Sequence, residues 1–190
     1  MQFSTQITPI FSSKGRVFLL SALQVVLGSF FLGVCSQVTI PLKPVPITLQ
    51  TLAIAILAIT QGGRTASLSV ILYLVEATMG MPVLAGGISN PLWLFFPKFG
   101  YLLSFPIAAY LTGKMVELKE KPSMHWIVFS MICSNLMILL LGTVGLAQFI
   151  GLKKGIVAGF LPFLPTMVLK VMVASTLSGL CLRWKARLSL

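Results

Sequence analysis

Two ionisable side chains interrupt long apolar stretches of this sequence, Glu76 in LYLVEATMGMP and Lys170 in LPFLPTMVLK. Charged groups in such surroundings are costly to bury and therefore mark candidate functional sites. A lysine that faces a cavity would suit a ligand carboxylate as a point charge. In the alternative, Lys170 extends its ammonium to a membrane interface. We expect Glu76 to pair with a lysine or hydrogen-bond a loop, because a buried acid would repel an anionic ligand.

Three uncharged polar residues, Thr48, Gln50 and Thr51, follow the proline-rich stretch PLKPVP. The prolines favour a stiff, extended crossover, and Thr48 is suited to cap the helix that follows. At about 100° per residue, Thr48 and Thr51 lie about 60° apart on a helix, whereas Gln50 lies about 200° from Thr48. Either Thr48 belongs to the loop, or Gln50 faces a neighbouring helix. We favour Thr48 and Thr51 as ligand contacts, with Gln50 supporting them from behind.

The stretch PVLAGGISNP offers further groups to a ligand. Gly86 and Gly87 permit a close backbone approach, and Asn90 offers both a donor and an acceptor. Most of the aromatic residues that follow are typical of an interfacial belt, but Tyr101 places a hydroxyl at the start of a predicted span. We therefore predict Gly86, Gly87, Asn90 and Tyr101 as substrate-binding residues together with Lys170.

Motifs for catalysis are absent from the sequence, which contains no GxxxxGK[ST], HExxH or GxSxG. The sequence has only three acidic residues, and two of them, Glu117 and Glu120, are expected to lie in a basic loop as solvated charges, so catalysis by paired carboxylates is nearly excluded. The single histidine, His125, is expected to be interfacial. The three cysteines have no CxxC spacing, which favours small buried residues over a disulfide or a zinc site. We predict a protein that is not an enzyme and that has no catalytic residues, cofactor or metal.

The composition places the chain in a lipid bilayer. Apolar residues make up 57% of it and charged residues 9%, whereas a soluble domain is about one quarter charged. The net charge of +11 would suggest a nucleic-acid partner in a soluble protein, but the charges fall at the edges of apolar runs, so no nucleic acid is expected. We predict one all-α integral membrane domain over 1–190, with Pro- and Gly-rich outer loops over a ligand cavity. Its six transmembrane helices are predicted at about 17–38, 48–61, 65–80, 98–117, 125–150 and 156–183.

The distribution of lysine and arginine predicts the orientation. The first apolar run is too long for a cleaved signal peptide and is interpreted as a retained helix. With the N-terminus in the cytoplasm, nine cationic residues lie on the cytoplasmic side and four on the outer side. We therefore predict a multi-pass protein of the bacterial inner membrane with both termini cytoplasmic, although the outer pair Lys153–Lys154 runs against the rule. The nine are Lys14, Arg16, Arg64, Lys114, Lys119, Lys121, Arg183, Lys185 and Arg187.

Small residues four apart predict where helices approach closely. Ala109 and Gly113 form one such pair. Ser21, Ser29 and Gly33 form a stripe along the first helix. This stripe has two interpretations, packing within the chain or docking of another membrane subunit.

Four segments of the chain, in order, resemble the BioY family of biotin-binding, substrate-capture subunits of energy-coupling-factor vitamin transporters. They are IPLKPVPITLQTLAIAILA, YLVEATMGMPVLAGG, FGYLLSF and PFLPTMVLK. The resemblance implies a six-helix fold that holds biotin beneath the outer loops, with its carboxylate at Lys170. It also implies that the first-helix stripe docks a transmembrane coupling protein, and that two cytoplasmic ATPases supply the ATP hydrolysis that powers biotin uptake.

The resemblance breaks at two places. Thr166 and Met167 stand where the family usually has Gly-Asp, and Lys98 stands within a segment that the family tends to write Gly-Pro-Thr-Gly-Gly-Tyr, so that Lys98 would add a second cation near the pocket. Two alternatives therefore remain open: a capture subunit for another small vitamin, and a membrane assembly protein without a ligand.

Overall fold

The computed structural model describes residues 13–188, except the side chains of residues 13, 14, 16 and 177–188. Within that range the chain is helical, which confirms the predicted all-α fold. Seven α-helices, one short two-stranded ribbon and one 3-10 turn follow in order: α1 Ser13–Gln37, β1 Thr39–Ile40, β2 Ile47–Thr48, α2 Gln50–Gln61, α3 Gly63–Thr78, the turn Trp93–Phe95, α4 Phe99–Glu117, α5 Met124–Ile150, α6 Leu152–Gly159 and α7 Phe163–Leu188.

The helix lengths fit a membrane protein. Three helical stretches, Val17–Gln37, Met124–Ile150 and Leu152–Thr176, are long and apolar enough to cross a membrane. The second and third predicted spans are short, as expected. α2 and α3 have 12 and 16 residues, which correspond to about 18 and 24 Å.

The last predicted span, 156–183, is wrong at its beginning. The structure breaks it between Gly159 and Phe163 into the short helix α6 and the long helix α7. Pro162 explains the break because it has no amide hydrogen to continue a helix. The chain turns there through a hydrogen bond from Phe163 N to Phe160 O of 3.1 Å. Pro165 lies in the first turn of α7, where an amide would have no helical partner.

α4 packs against α2, α3 and α5. A Cβ atom added to Gly113 would overlap the backbone of Gly63 at the start of α3. The neighbouring Ala109 is fully buried. The predicted small-residue pair in this helix is therefore confirmed as packing within the chain, since it lets two helix backbones touch.

Within the stripe on α1, Ser29 faces α3 rather than the surface. Ser29 is fully buried, and its hydroxyl donates a hydrogen bond of 2.6 Å to Glu76 Oε2 on α3. The prediction that Ser29 contacts a partner is corrected, because its side chain is already enclosed and bonded. Ser21 and Gly33 are half-buried, and their role towards a partner stays a prediction.

Glu76 has the structural role that the sequence predicted, although its partner is a serine rather than a lysine or a loop. Among the described side chains the only ion pair joins Lys114 and Glu117 near the end of α4, at 2.5 Å. The orientation prediction relied partly on Lys14, Arg16, Arg183, Lys185 and Arg187, whose side chains lie outside the described ones.

Candidate functional site

A cavity of about 370 Å³ lies where α2, α4 and α7 begin, and we call this the cavity end of the bundle. Its volume falls within the usual range of small-molecule sites. Two connecting segments cover it, the ribbon tip and the loop between α3 and α4. The lining residues are Pro44, Val45, Pro46, Thr48, Gln50, Thr51, Leu84, Ala85, Ile88, Asn90, Trp93, Phe96, Pro97, Lys98, Tyr101, Leu102, Phe105, Asn135, Ile138, Leu139, Phe163, Thr166, Met167 and Lys170.

The proline-rich segment reverses the chain direction at the tip of a two-stranded ribbon, instead of crossing over as one extended segment. β1 and β2 pair antiparallel, with Thr39 opposite Thr48. Thr48 therefore lies in β2 and outside α2, in a strand rather than in the predicted loop. The other predicted alternative also holds, because Gln50 faces Tyr73 on α3. Leu49 occupies the N-cap position of α2, so the predicted capping role of Thr48 is displaced by one residue. Its hydroxyl nevertheless accepts a hydrogen bond of 3.3 Å from the amide of Gln50.

Lys170 joins α7 to this ribbon. Its Nζ donates to the backbone oxygen of Thr48 at 2.6 Å and to Thr51 Oγ1 at 2.9 Å. The alternative in which Lys170 extends to an interface is therefore wrong. An ammonium carries three donors, so the third N–H stays available beside the cavity. The predicted cluster of Lys170, Thr48 and Thr51 is brought together.

Gln50 supports this cluster. Its Oε1 accepts a hydrogen bond from Thr48 Oγ1 at 3.0 Å, and its Nε2 donates to the hydroxyl of Tyr73 on α3 at 2.6 Å. Tyr73 in turn donates to the backbone oxygen of Val83 at 2.9 Å, and Ser36 of α1 donates to the same oxygen at 2.6 Å. The Gln50 side chain is thus fixed between the ribbon and α3, as predicted, while the residue still borders the cavity.

The two glycines of the loop shape the turn rather than line the cavity. Gly86 and Gly87 have φ values of +75° and +71°, which favour glycine. They close a turn in which Leu84 and Ile88 form a bridge. The prediction that these glycines contact the ligand is therefore corrected, because Leu84, Ala85 and Ile88 beside them line the cavity instead.

Asn90 and Tyr101 both border the cavity, as predicted. Asn90 Oδ1 accepts a hydrogen bond of 3.1 Å from the Leu92 amide, so its NH₂ group remains as a donor. The hydroxyl of Tyr101 donates to the backbone oxygen of Gly159 at 2.7 Å. Tyr101 therefore presents mainly its ring to the cavity and ties α4 to the end of α6.

Lys98, the departure noted in the sequence, borders the cavity from the N-cap position of α4. Among the described residues that line the cavity, Lys98 and Lys170 are cations and none is an acid. The site is therefore suited to an anionic group.

Sequence reasoning did not predict Trp93, Asn135 or Thr166 as ligand contacts, although all three line the cavity. Trp93 was interpreted as part of the interfacial belt, but it is 5% exposed and donates a hydrogen bond of 3.0 Å from Nε1 to Thr78 Oγ1. Asn135 carried a usable signal, since an amide in the middle of an apolar span marks a candidate site. Thr166 was noted only as a departure from the family pattern, and in the structure its hydroxyl donates to Phe163 O within its own helix at 2.9 Å.

The chemistry of the cavity is that of binding. Two ammonium groups, several uncharged hydrogen-bonding groups and walls of Leu, Ile, Phe and Trp side chains surround one space. Such a site would hold a small molecule that combines a negative end, an uncharged polar part and an apolar body.

Comparison with known proteins places residues 9–187 under a family model described as the BioY family. A relative named probable biotin transporter BioY, from Rickettsia prowazekii, is 30% identical over 168 residues, which cover 85% of this chain and 83% of the relative. Biotin transporter BioY2 of Lactococcus lactis subsp. cremoris is 32% identical over 161 residues, or 83% of this chain and 87% of the relative. Biotin transporter BioY of Thermotoga maritima is 32% identical over 142 residues, or 74% and 83%.

One solved structure shares the fold. It is described as the S-component for biotin from an ECF-type ABC transporter, and it superposes with a TM-score of 0.78 at 20% sequence identity. The match covers 88% of this chain and 92% of that chain.

Proposed function

The chain belongs to the BioY family, and on this premise we propose that it is a membrane-embedded, biotin-binding subunit that mediates biotin uptake. The observation that carries the proposal is the position of Lys170. Its ammonium is held by Thr48 O and Thr51 Oγ1 in a cavity whose described lining contains no acid. A ligand carboxylate would supply the missing negative charge.

The remaining parts of biotin match the other groups of the cavity. Its ureido ring offers N–H donors and a carbonyl acceptor, which uncharged groups such as Thr48 and the NH₂ of Asn90 suit. Its thiophane ring and aliphatic chain suit apolar walls such as Phe105, Ile138 and the ring of Tyr101. This assignment needs no cofactor.

The absence of a nucleotide-binding motif from the sequence supports an assembly in which other subunits hydrolyse ATP. We propose that these are a transmembrane coupling protein and two cytoplasmic ATPases, as in an energy-coupling-factor module. We further propose that the single six-helix domain lies in the bacterial inner membrane, with both termini cytoplasmic and the cavity opening outward. Ser21 and Gly33, half-buried on α1, remain the proposed contacts of the coupling protein.

A second candidate is a capture subunit for another small vitamin. It is favoured by the departures Lys98, Thr166 and Met167, all of which border the cavity. A membrane assembly protein without a ligand is not favoured, since a cavity with two cations has no role in it.

The test is a biotin titration of the detergent-purified full chain, by calorimetry or with radiolabelled biotin. We expect saturable binding to one site at micromolar concentration or tighter. Thiamine and riboflavin are titrated separately in the same detergent. Binding of one of them, with no binding of biotin, would establish the second candidate, and no binding of any vitamin would refute both.

A further inference from the structure

Asn135 is a polar side chain that the binding scheme above does not use. It lies near the middle of α5, whose sequence around it is strongly apolar. It is 7% exposed, and it borders the cavity together with Ile138 and Leu139 from the same helix. An amide is costly to bury in such a place unless its polar atoms are satisfied.

The orientation of this amide follows from its one recorded hydrogen bond. Asn135 Nδ2 donates to the backbone oxygen of Met131, one helical turn earlier, at 2.9 Å. A backbone carbonyl only accepts hydrogen bonds, so the group that faces it must be the NH₂. Oδ1 is therefore the polar atom left for other partners.

The neighbouring residue shows what a purely structural polar side chain does on this helix. Ser134 is also buried, but its hydroxyl bridges to α4 by accepting a hydrogen bond of 2.6 Å from Thr112 Oγ1. Ser134 does not line the cavity. Asn135 makes no such bridge among the described residues, and no donor to its Oδ1 is recorded there.

We infer that Asn135 Oδ1 is a specificity-determining acceptor for an N–H donor of the bound ligand. The inference rests on the proposed function, under which that donor is an N–H of the biotin ureido ring. A carbonyl oxygen that is held in place beside a cavity favours a ligand with an N–H over an analogue that lacks one, because the analogue leaves the oxygen unpaired. It would give the uncharged end of the ligand a fixed contact that is independent of Lys170.

The experiment compares biotin with an analogue in which both ureido nitrogens carry methyl groups and the carboxylate is unchanged. The protein with Asn135 should prefer biotin by about 100-fold or more. Asn135→Ala should weaken biotin binding about 10- to 100-fold, and it should leave the affinity for the methylated analogue unchanged or improved. The preference between the two ligands, rather than the affinity for either, is the quantity measured.

Two further variants control for misfolding of the alanine variant and for the loss of any polar group on this part of α5. Asn135→Leu fills a similar volume and suits the apolar span, so it should lose the preference even if the alanine variant folds poorly. Ser134→Ala removes a neighbouring hydroxyl outside the cavity and should keep the preference. Equal weakening of both ligands in the Asn135 variants, or an unchanged preference, would overturn this inference and leave biotin binding in place. Failure of the unaltered protein to bind biotin would overturn both proposals.

Discussion

At the cavity end, polar side chains bridge elements around an open space, whereas at the opposite end α3 and α4 meet backbone to backbone. We call the second region the glycine end, and it comprises the turn Gly62–Gly63 and the last turns of α4. Lys170 reaches Thr48 across 122 positions of the chain at the cavity end. At the glycine end, Gly113 leaves no room for a side chain against Gly63.

The difference indicates that the cavity end serves ligand binding and that the glycine end serves the stability of the fold. Close backbone contact excludes any space for a ligand and stabilises the bundle through dispersion. Side-chain bridges can hold elements apart around a cavity and still fix the groups that line it. We therefore expect substitutions at the glycine end to affect folding, and substitutions at the cavity end to affect ligand affinity.

The largest effect is expected at the glycine end. Gly113→Ala would press a methyl group onto the backbone of Gly63, and such overpacking should lower the free energy of unfolding by about 3 kcal/mol. Thermal unfolding in detergent, followed by circular dichroism, measures the loss. Gly33→Ala is the matched control, because its Cβ would meet only Val83 Cγ1, at an ordinary 3.9 Å. If the two variants lose equal stability, the glycine end has no special role in folding.

At the cavity end, Lys170→Met should weaken biotin binding about 10- to 100-fold, the usual cost of losing one charge-assisted hydrogen bond. The methionine keeps an apolar stem of similar length, so the fold should remain. Biotinamide, which has no carboxylate, should lose far less affinity. Calorimetry with both ligands gives the comparison, and an equal loss for the two would rule out the carboxylate contact.

The sequence predicted the helices and named Lys170, Thr48 and Thr51 each as a site residue, because these follow from patterns that are local in the chain. It did not predict the hydrogen bonds that join Lys170 to the two threonines, which lie 122 and 119 positions away. Apolar runs, prolines and a lysine inside a span are visible without knowledge of the fold. The helical periodicity predicted that Gln50 would face away from Thr48. In the structure Gln50 bonds to both sides, because its Nε2 donates to Tyr73 while its Oε1 accepts from Thr48.

The errors concern features that depend on distant partners or on local turn geometry. Ser29 was predicted to contact a partner because it belongs to the small-residue stripe on α1. Its hydrogen bond to Glu76 could not be predicted, because the two residues lie 47 positions apart in the sequence. Gly86 and Gly87 were predicted to approach the ligand, but a positive φ serves a turn as readily as a binding loop. The last span was predicted as one helix over 156–183, and the break between α6 and α7 was missed, because Pro162 marks a helix start without showing that a separate helix precedes it.

The smallest predicted effect tests whether a side chain outside the cavity changes ligand affinity by positioning the groups that line the cavity. Tyr73→Phe removes a fully buried hydroxyl that accepts from Gln50 and donates to Val83 O. Val83 O keeps its bond from Ser36, whereas Gln50 Nε2 loses its recorded partner. Gln50 should then hold Thr48 less firmly, and Thr48 O is one of the two acceptors that position Lys170.

We expect Tyr73→Phe to lower the free energy of unfolding by about 1 kcal/mol. Biotin affinity should fall no more than about tenfold, mainly through faster dissociation, which stopped-flow measurements would resolve. Tyr110→Phe is the matched control, since Tyr110 is 42% exposed on α4 and should change neither quantity. Tyr73 does not line the cavity, so faster biotin release in this variant would come from Gln50 and Thr48. Unchanged dissociation with reduced stability would instead show that the bridge from Gln50 to Tyr73 supports the fold without positioning the site.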